Sequence, residues 1–120
     1  MADRKCYIRP MIFFYCPDDN TPIGGIAKIY RHVDVLNRNG FEAAVVHLQQ
    51  DFRVTWFENA TPVVYANNVR PDPRDFIVAP EVYGPQIARS VPGIRKVIFN
   101  QNCYNTFRRI WASPSSLLII

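Results

Sequence analysis

The sequence predicts an α/β domain in which flanking helices cover a parallel β-sheet. Short continuous apolar runs recur along the chain, as in strands that are buried on both faces of a sheet. Between the first two runs lies a segment with apolar residues at helical spacing, and strand, helix, strand is the start of a parallel sheet. The 120 residues correspond to a single domain.

The first predicted strand covers residues 11–16, an apolar run rich in aromatic side chains. The loop at 17–25 is dense in turn-forming residues and offers Thr21 as a helix N-cap. Helical spacing then runs from Gly25 to Gly40, and a glycine at that point is typical of a helix C-terminus.

Four further strands are predicted at residues 42–47, 62–65, 75–79 and 95–99, because each contains a short apolar block. Helices are expected at 83–90 and from 104 to 111, whereas 52–57 fits neither pattern. Residues 117–120 are apolar and end the chain without a cap. A doubly wound domain commonly has another helix and a sixth strand here, so we expect an unfinished sheet edge and a truncated domain.

Composition excludes several classes of protein. Apolar residues make up 48% and charged residues 20%, which is typical of a folded globular domain. The net charge of +4 comes from scattered basic residues, so no nucleic-acid-binding stripe is expected. No apolar run approaches the ~18 residues of a membrane span, and no signal-peptide pattern opens the chain. The chain has three cysteines, Cys6, Cys16 and Cys103. Their odd number and the lack of C-x-x-C spacing suggest neither a disulfide framework nor a zinc site, and fit a reducing cytoplasm.

Ligands of parallel sheets bind beyond the carboxyl ends of the strands, which directs attention to the segments after the first, fourth and fifth strands. Gly24 and Gly25 stand where a helix begins, and their missing side chains allow an anion or a sugar hydroxyl to approach backbone N–H groups. A tight turn explains the two glycines equally well.

Polar residues follow the other two strands. Glu81, in the same segment as Tyr83, could accept hydrogen bonds from sugar hydroxyls or act as a base, but an acid is also favoured at any helix N-terminus. Three amides follow the fifth strand and suit either a polyhydroxylated ligand or loop capping. These amides are Asn100, Gln101 and Asn102.

No residue pattern points to a cofactor or to a catalytic group. The dinucleotide fingerprint and the phosphate-binding P-loop are both absent. No spacing suggests a metal site or a nucleophilic triad. We interpret His32 and His47 as surface or packing residues, so the catalytic residues stay unknown.

Three early segments resemble, in the same order, the opening of bacterial GT-B glycosyltransferases of family 4. They are FFYCPD at 13–18, GGIAKIYRH at 24–32 and LNRNGFEA at 36–43. Three later segments are similar to parts of one bacterial branch of that family: WFEN at 56–59, PEVYGP at 80–85 and FNQNCY at 99–104. The resemblance extends over about residues 11–107.

The resemblance implies a hexosyltransferase-type enzyme with two Rossmann-like domains that face a cleft. The first domain mainly holds a sugar or glycan acceptor, and the second mainly holds the nucleotide-sugar. Gly24 and Gly25 match the loop that borders the donor phosphates in such enzymes. Many relatives carry a histidine near the fifth strand tip, where this chain has amides. The second domain is absent from these residues, so we expect no transfer by this chain alone.

Two other classes of protein were weighed. A receiver-like signalling domain would use acids such as Asp18 and Asp19, but it also needs an aspartate closing the third strand and a lysine closing the fifth, which this chain lacks. A non-catalytic binding or interaction module is the stronger alternative to the glycosyltransferase.

Overall fold

The computed structural model describes residues 10–22, 24–83, 93–99 and 117–119. Its strands are β1 (Met11–Tyr15), β2 (Glu42–His47), β3 (Val63–Tyr65), β4 (Phe76–Pro80), β5 (Arg95–Phe99) and β6 (Leu117–Ile119), and its helix α1 spans Gly24–Arg38. The strands form one sheet in the order β3-β2-β1-β4-β5-β6. Every neighbouring pair is parallel. The predicted parallel α/β fold is confirmed.

α1 packs on one face of the sheet. Its buried residues are Ile26, Ile29, Tyr30 and Val33, which recur every three or four positions and so form one apolar stripe. They share a core cluster with Phe14 and with residues of β2, β4 and β5. On the opposite face, Phe13 and Val46 are also fully buried, so the central strands are covered on both sides.

The predicted glycine cap ends α1. Gly40 has φ 88°, the left-handed conformation that glycine adopts without a steric penalty. The Gly40 N–H donates to the Asn37 carbonyl at 3.4 Å, and the Phe41 N–H donates to the Leu36 carbonyl at 3.0 Å. This pair of bonds is the Schellman pattern, which satisfies carbonyls that the end of a helix would otherwise leave free.

The structure corrects two expectations. Thr21 does not cap α1, because the helix begins three residues later, at Gly24. Thr21 lies in a local turn, in which its N–H and hydroxyl donate to the Asp19 carboxylate at 2.9 and 2.7 Å. The edge beyond β5 is not bare: Leu117–Ile119 pairs with β5 as the sixth strand.

The remaining predictions fare differently. The undecided segment 52–57 has no regular secondary structure. The predicted helices at 83–90, beyond Tyr83, and at 104–111 lie outside the described residues. Among the described residues, no helix has the length and apolar character needed to cross a membrane.

A buried carboxylate joins β1 and β4 at the amino edge of the sheet. Asp75 was predicted inside the fourth strand but immediately precedes β4, where it is fully buried. Its carboxylate accepts the Met11 N–H at 2.8 Å and the Asp72 N–H at 2.7 Å. These bonds fix the start of β1 beside the start of β4.

Candidate functional site

The loop after β1 and the turn after β4 leave the sheet side by side. β1 and β4 are parallel neighbours, with Phe14 aligned to Val78, so both strands end at the same edge. The chain passes from β1 to β2 and β3 on one side, then returns to build β4 and β5 on the other. Such a reversal of strand order is the switch point beside which open parallel sheets bind ligands.

Four of the predicted binding residues lie at this edge. α1 begins with Gly24 and Gly25, and a short 3-10 turn after β4 spans Glu81–Tyr83. Glu81 is only 3% exposed, whereas Tyr83 is half-buried and more accessible. That these residues bind a ligand stays a prediction. The other three predicted residues lie outside the described part of the chain: Asn100, Gln101 and Asn102.

Gly24 leaves the first turn of α1 open. It is exposed, its φ is not in the left-handed region, and a Cβ added to it would meet no described atom within 4 Å. No acidic residue occupies the first turn of the helix. Neither backbone conformation nor packing among the described residues therefore requires glycine at this position. The exposed Gly24 therefore lies at the positive end of the α1 dipole, which favours a ligand carrying oxygen acceptors.

Tyr83 and Asp18 approach each other across the switch point. Burial raises the pKa of the Tyr83 phenol, and the nearby negative charge of Asp18, and then Cys16, raise this pKa further. The phenol is therefore neutral near pH 7 and can both donate and accept a hydrogen bond. Burial, with the charge of Asp18, also raises the pKa of Cys16 to about 12, so this thiol is a packing residue rather than a nucleophile.

A buried chain of hydrogen bonds runs from Asp18 into the core. The carboxylate of Asp18 lies 2.9 Å from Nδ1 of His47, and Nε2 of His47 lies 2.7 Å from the hydroxyl of Tyr30. The Val54 N–H in turn donates to the Tyr30 hydroxyl at 3.2 Å. Tyr30, His47 and Val54 are fully buried, while the side chain of Asp18 is 20% exposed.

His47 is held in its neutral form. Burial lowers its pKa below the ordinary 6.5, although the hydrogen bond and charge of Asp18 act in the opposite direction. The sequence indicates a surface or packing residue at His47 and does not connect this residue with Asp18 or Tyr30. No local pattern could have done so, because Asp18 and His47 are separated by 29 residues.

Asp18 and Asn20 also attach the loop after β1 to the chain that follows β2. The Asp18 carboxylate accepts the backbone N–H groups of Leu48 and Gln49, at 3.1 and 2.8 Å. Asn20 exchanges two hydrogen bonds with Thr55, both 2.9 Å long. These hydrogen bonds hold the loop after β1 in place through the loop's own side chains. We call the region between this loop, the start of α1 and the turn after β4 the crevice.

The groups at this edge of the sheet can form hydrogen bonds with a ligand. Tyr30 does not resemble an activated nucleophile, because its hydroxyl is buried and burial raises its pKa. In the described part of the chain, no three histidine, cysteine or acidic side chains group to hold a metal ion. What the crevice offers is accessible backbone donors at Gly24, a neutral phenol at Tyr83 and a partly exposed carboxylate at Asp18.

The fold and the position of the crevice define a Rossmann-like α/β domain. Comparisons with protein-family models, curated proteins and solved structures found no match to this chain.

Proposed function

We propose that this chain is the acceptor-side domain of a GT-B glycosyltransferase, which takes part in moving a sugar from a nucleotide-sugar to a sugar or glycan acceptor. The observation that carries the proposal is the switch point between β1 and β4, where the open start of α1 faces the same edge as Tyr83. The order of segments that resembles such enzymes places its glycine pair at this position.

The groups at the crevice suit a ligand rich in hydroxyls. The backbone at the exposed Gly24 can be approached closely by ligand oxygens, and the positive end of the α1 dipole favours them there. Tyr83 can donate to one hydroxyl and accept from another. Asp18 accepts three hydrogen bonds from protein donors, and a carboxylate has about four acceptor positions, so one is left for a ligand hydroxyl.

Catalysis requires more than these groups. A two-substrate transfer depends on holding both reactants in the correct relative position, which can contribute roughly 7–11 kcal/mol to lowering the barrier. The described crevice is one wall of such a site. We therefore expect these 120 residues alone to bind weakly and to transfer no sugar.

The test is an NMR titration of the ¹⁵N-labelled chain with UDP-glucose, UDP and maltose, followed at the amides of Gly24, Gly25 and Tyr83. We expect these amides to shift with at least one probe, at a Kd on the order of 1 mM. Gly24→Val should weaken that binding at least about fivefold, because its branched side chain covers the N–H groups without displacing a described atom.

Arg38→Val is the matched control, since it places the same side chain at an exposed position at the far end of α1. It should bind as the wild type does. The proposal is wrong if no probe shifts the crevice amides, or if Gly24→Val binds the probes with unchanged affinity. Shifts on a remote surface caused by a protein partner, without sugar binding, would favour the interaction module instead.

A further inference from the structure

The loop after β1 is attached to the chain after β2 by five hydrogen bonds that involve only two of the loop's side chains. Asp18 accepts from the His47 ring and from the N–H groups of Leu48 and Gln49. Asn20 contributes the other two, both to Thr55. The attached loop leads directly into the first turn of α1, where the candidate ligand donors lie.

The buried part of this network has a fixed direction. A backbone N–H can only donate, so the Tyr30 oxygen must accept from Val54. At the other end, a carboxylate can only accept, so Nδ1 of His47 must carry a proton for Asp18. A neutral ring then has an unprotonated Nε2, which accepts the hydroxyl proton of Tyr30. Every donor and acceptor in the chain is satisfied in this one arrangement.

We propose that Asp18 is a positioning residue for the crevice: it holds the loop before α1 in the binding conformation through a hydrogen-bond chain that requires neutral His47. This inference builds on the proposed function, because the property it controls is ligand binding at the switch point. Asp18 acts through the loop and the start of α1.

Protonation of His47 would disturb this chain. The charged ring keeps its bond to Asp18, but Nε2–H then points at a Tyr30 oxygen that already faces the Val54 N–H. The Tyr30 hydroxyl proton loses its acceptor inside the core. The other groups whose charge or polarity reaches the ring are Arg53, which disfavours its protonation, and the backbone at Cys16, which favours it. Burial is the largest influence and disfavours the charged ring.

The experiment compares the wild type, Asp18→Asn and His47→Gln by titrating UDP-glucose and maltose between about pH 5 and 8. Amide hydrogen exchange at Leu48 and Gln49 is measured on the same samples. Asn in place of Asp18 presents an N–H₂ group where an acceptor is needed. Gln in place of His47 can still donate to Asp18 and accept from Tyr30, but it does not titrate.

We expect Asp18→Asn to weaken probe binding roughly tenfold at neutral pH and to speed amide exchange at Gln49. The wild type should lose affinity only as the pH falls through the pKa of the ring in the folded protein, which burial lowers below the ordinary 6.5. His47→Gln should show a flatter pH profile than the wild type. If His47 had a purely structural role, its replacement by Gln would not preserve ligand binding at acidic pH.

Several results would overturn the inference. Unchanged affinity and amide exchange in Asp18→Asn would remove Asp18 as a positioning residue while leaving the proposed function in place. An equal acid loss in His47→Gln would show that the histidine is not responsible. If Asp18→Asn does not fold, the pH profile of His47→Gln decides the matter. If the wild type binds neither probe at any pH, the proposed function fails and the positioning role fails with it.

Discussion

Replacing Tyr30 by Phe tests the buried hydrogen-bond chain without creating a cavity. The substitution removes one hydroxyl from a fully buried ring that packs edge-on against Phe57, at 5.5 Å between ring centroids. Two partners lose their hydrogen bonds: the Val54 N–H and Nε2 of His47. Each buried polar group left without a partner costs about 1–3 kcal/mol. We therefore expect Tyr30→Phe to lower the free energy of unfolding by roughly 2–6 kcal/mol.

This loss is large beside the whole stability of a small domain, about 5–15 kcal/mol. The average entropy of unfolding, scaled to 120 residues, is about 0.25 kcal/mol/K. A loss of 2 kcal/mol then lowers Tm by about 8 °C. Urea denaturation followed by circular dichroism, together with a thermal melt, measures both quantities.

Tyr65→Phe is the matched control. The hydroxyl of Tyr65 donates a single hydrogen bond, 3.2 Å long, to the carbonyl of Phe52, and the residue is only partly buried. Its removal leaves one carbonyl acceptor and should cost about 1 kcal/mol or less. The buried hydrogen bonds would not have the predicted effect if the free energy of unfolding of Tyr30→Phe were within about 0.5 kcal/mol of the wild type, or no lower than that of Tyr65→Phe.

Two further predictions concern buried ionisable groups. Asp75→Asn should destabilise the domain by about 1–3 kcal/mol, because its amide cannot accept both the Met11 and the Asp72 N–H; equal urea midpoints would contradict this. The free energy of unfolding should also fall as the pH drops below about 6.5, the ordinary pKa of histidine. The pKa of His47 is lowered in the folded state, so the unfolded chain binds more protons in this range. The loss of stability should grow until the pH reaches the folded-state pKa. Urea midpoints from pH 5 to 8 measure it, and His47→Gln should give a flatter dependence.

The strands were the most predictable part of the fold. Residues 42–47 and 95–99 form β2 and β5 with the predicted bounds, because each contains the apolar block that a strand buried on both faces needs. Gly40 was also readable, since only glycine readily takes the left-handed conformation that closes a helix in this way. For these strands and for the end of α1, the local sequence pattern alone is enough to predict the structure.

The errors arose where a competing local contact or a distant partner decided the outcome. Thr21 is a good N-cap residue by type, but α1 begins only at Gly24, and Thr21 forms a local turn with Asp19 instead. Residues 117–119 are too short a run to define a strand by themselves, and pairing with β5 is what makes them one. Neither contact could be weighed from residue type alone.

The candidate site was predictable in position but not in composition. The switch-point rule locates the crevice once the strands are known, which is why Gly24 and Tyr83 could be selected beforehand. The hydrogen-bond chain from Asp18 through His47 to Tyr30 depends on the register of the sheet and on the position at which α1 packs against it. His47 ends β2 beside the end of β1, because Tyr15 aligns with Val46, and α1 then brings Tyr30 against its ring.

This arrangement makes one carboxylate serve both the fold and the crevice. Of the four residues in the hydrogen-bond chain from Val54 through Tyr30 and His47 to Asp18, only Asp18 is partly exposed, so a ligand could reach the network there. A ligand hydroxyl that donates to Asp18 would use the acceptor position that His47, Leu48 and Gln49 leave open. Because binding couplings are reciprocal, a bound sugar that stabilises the carboxylate should also shift the protonation of His47. A pH titration of the His47 ring ¹⁵N signals with and without maltose would detect the shift. Identical titration curves under saturating maltose would show that the sugar does not contact Asp18.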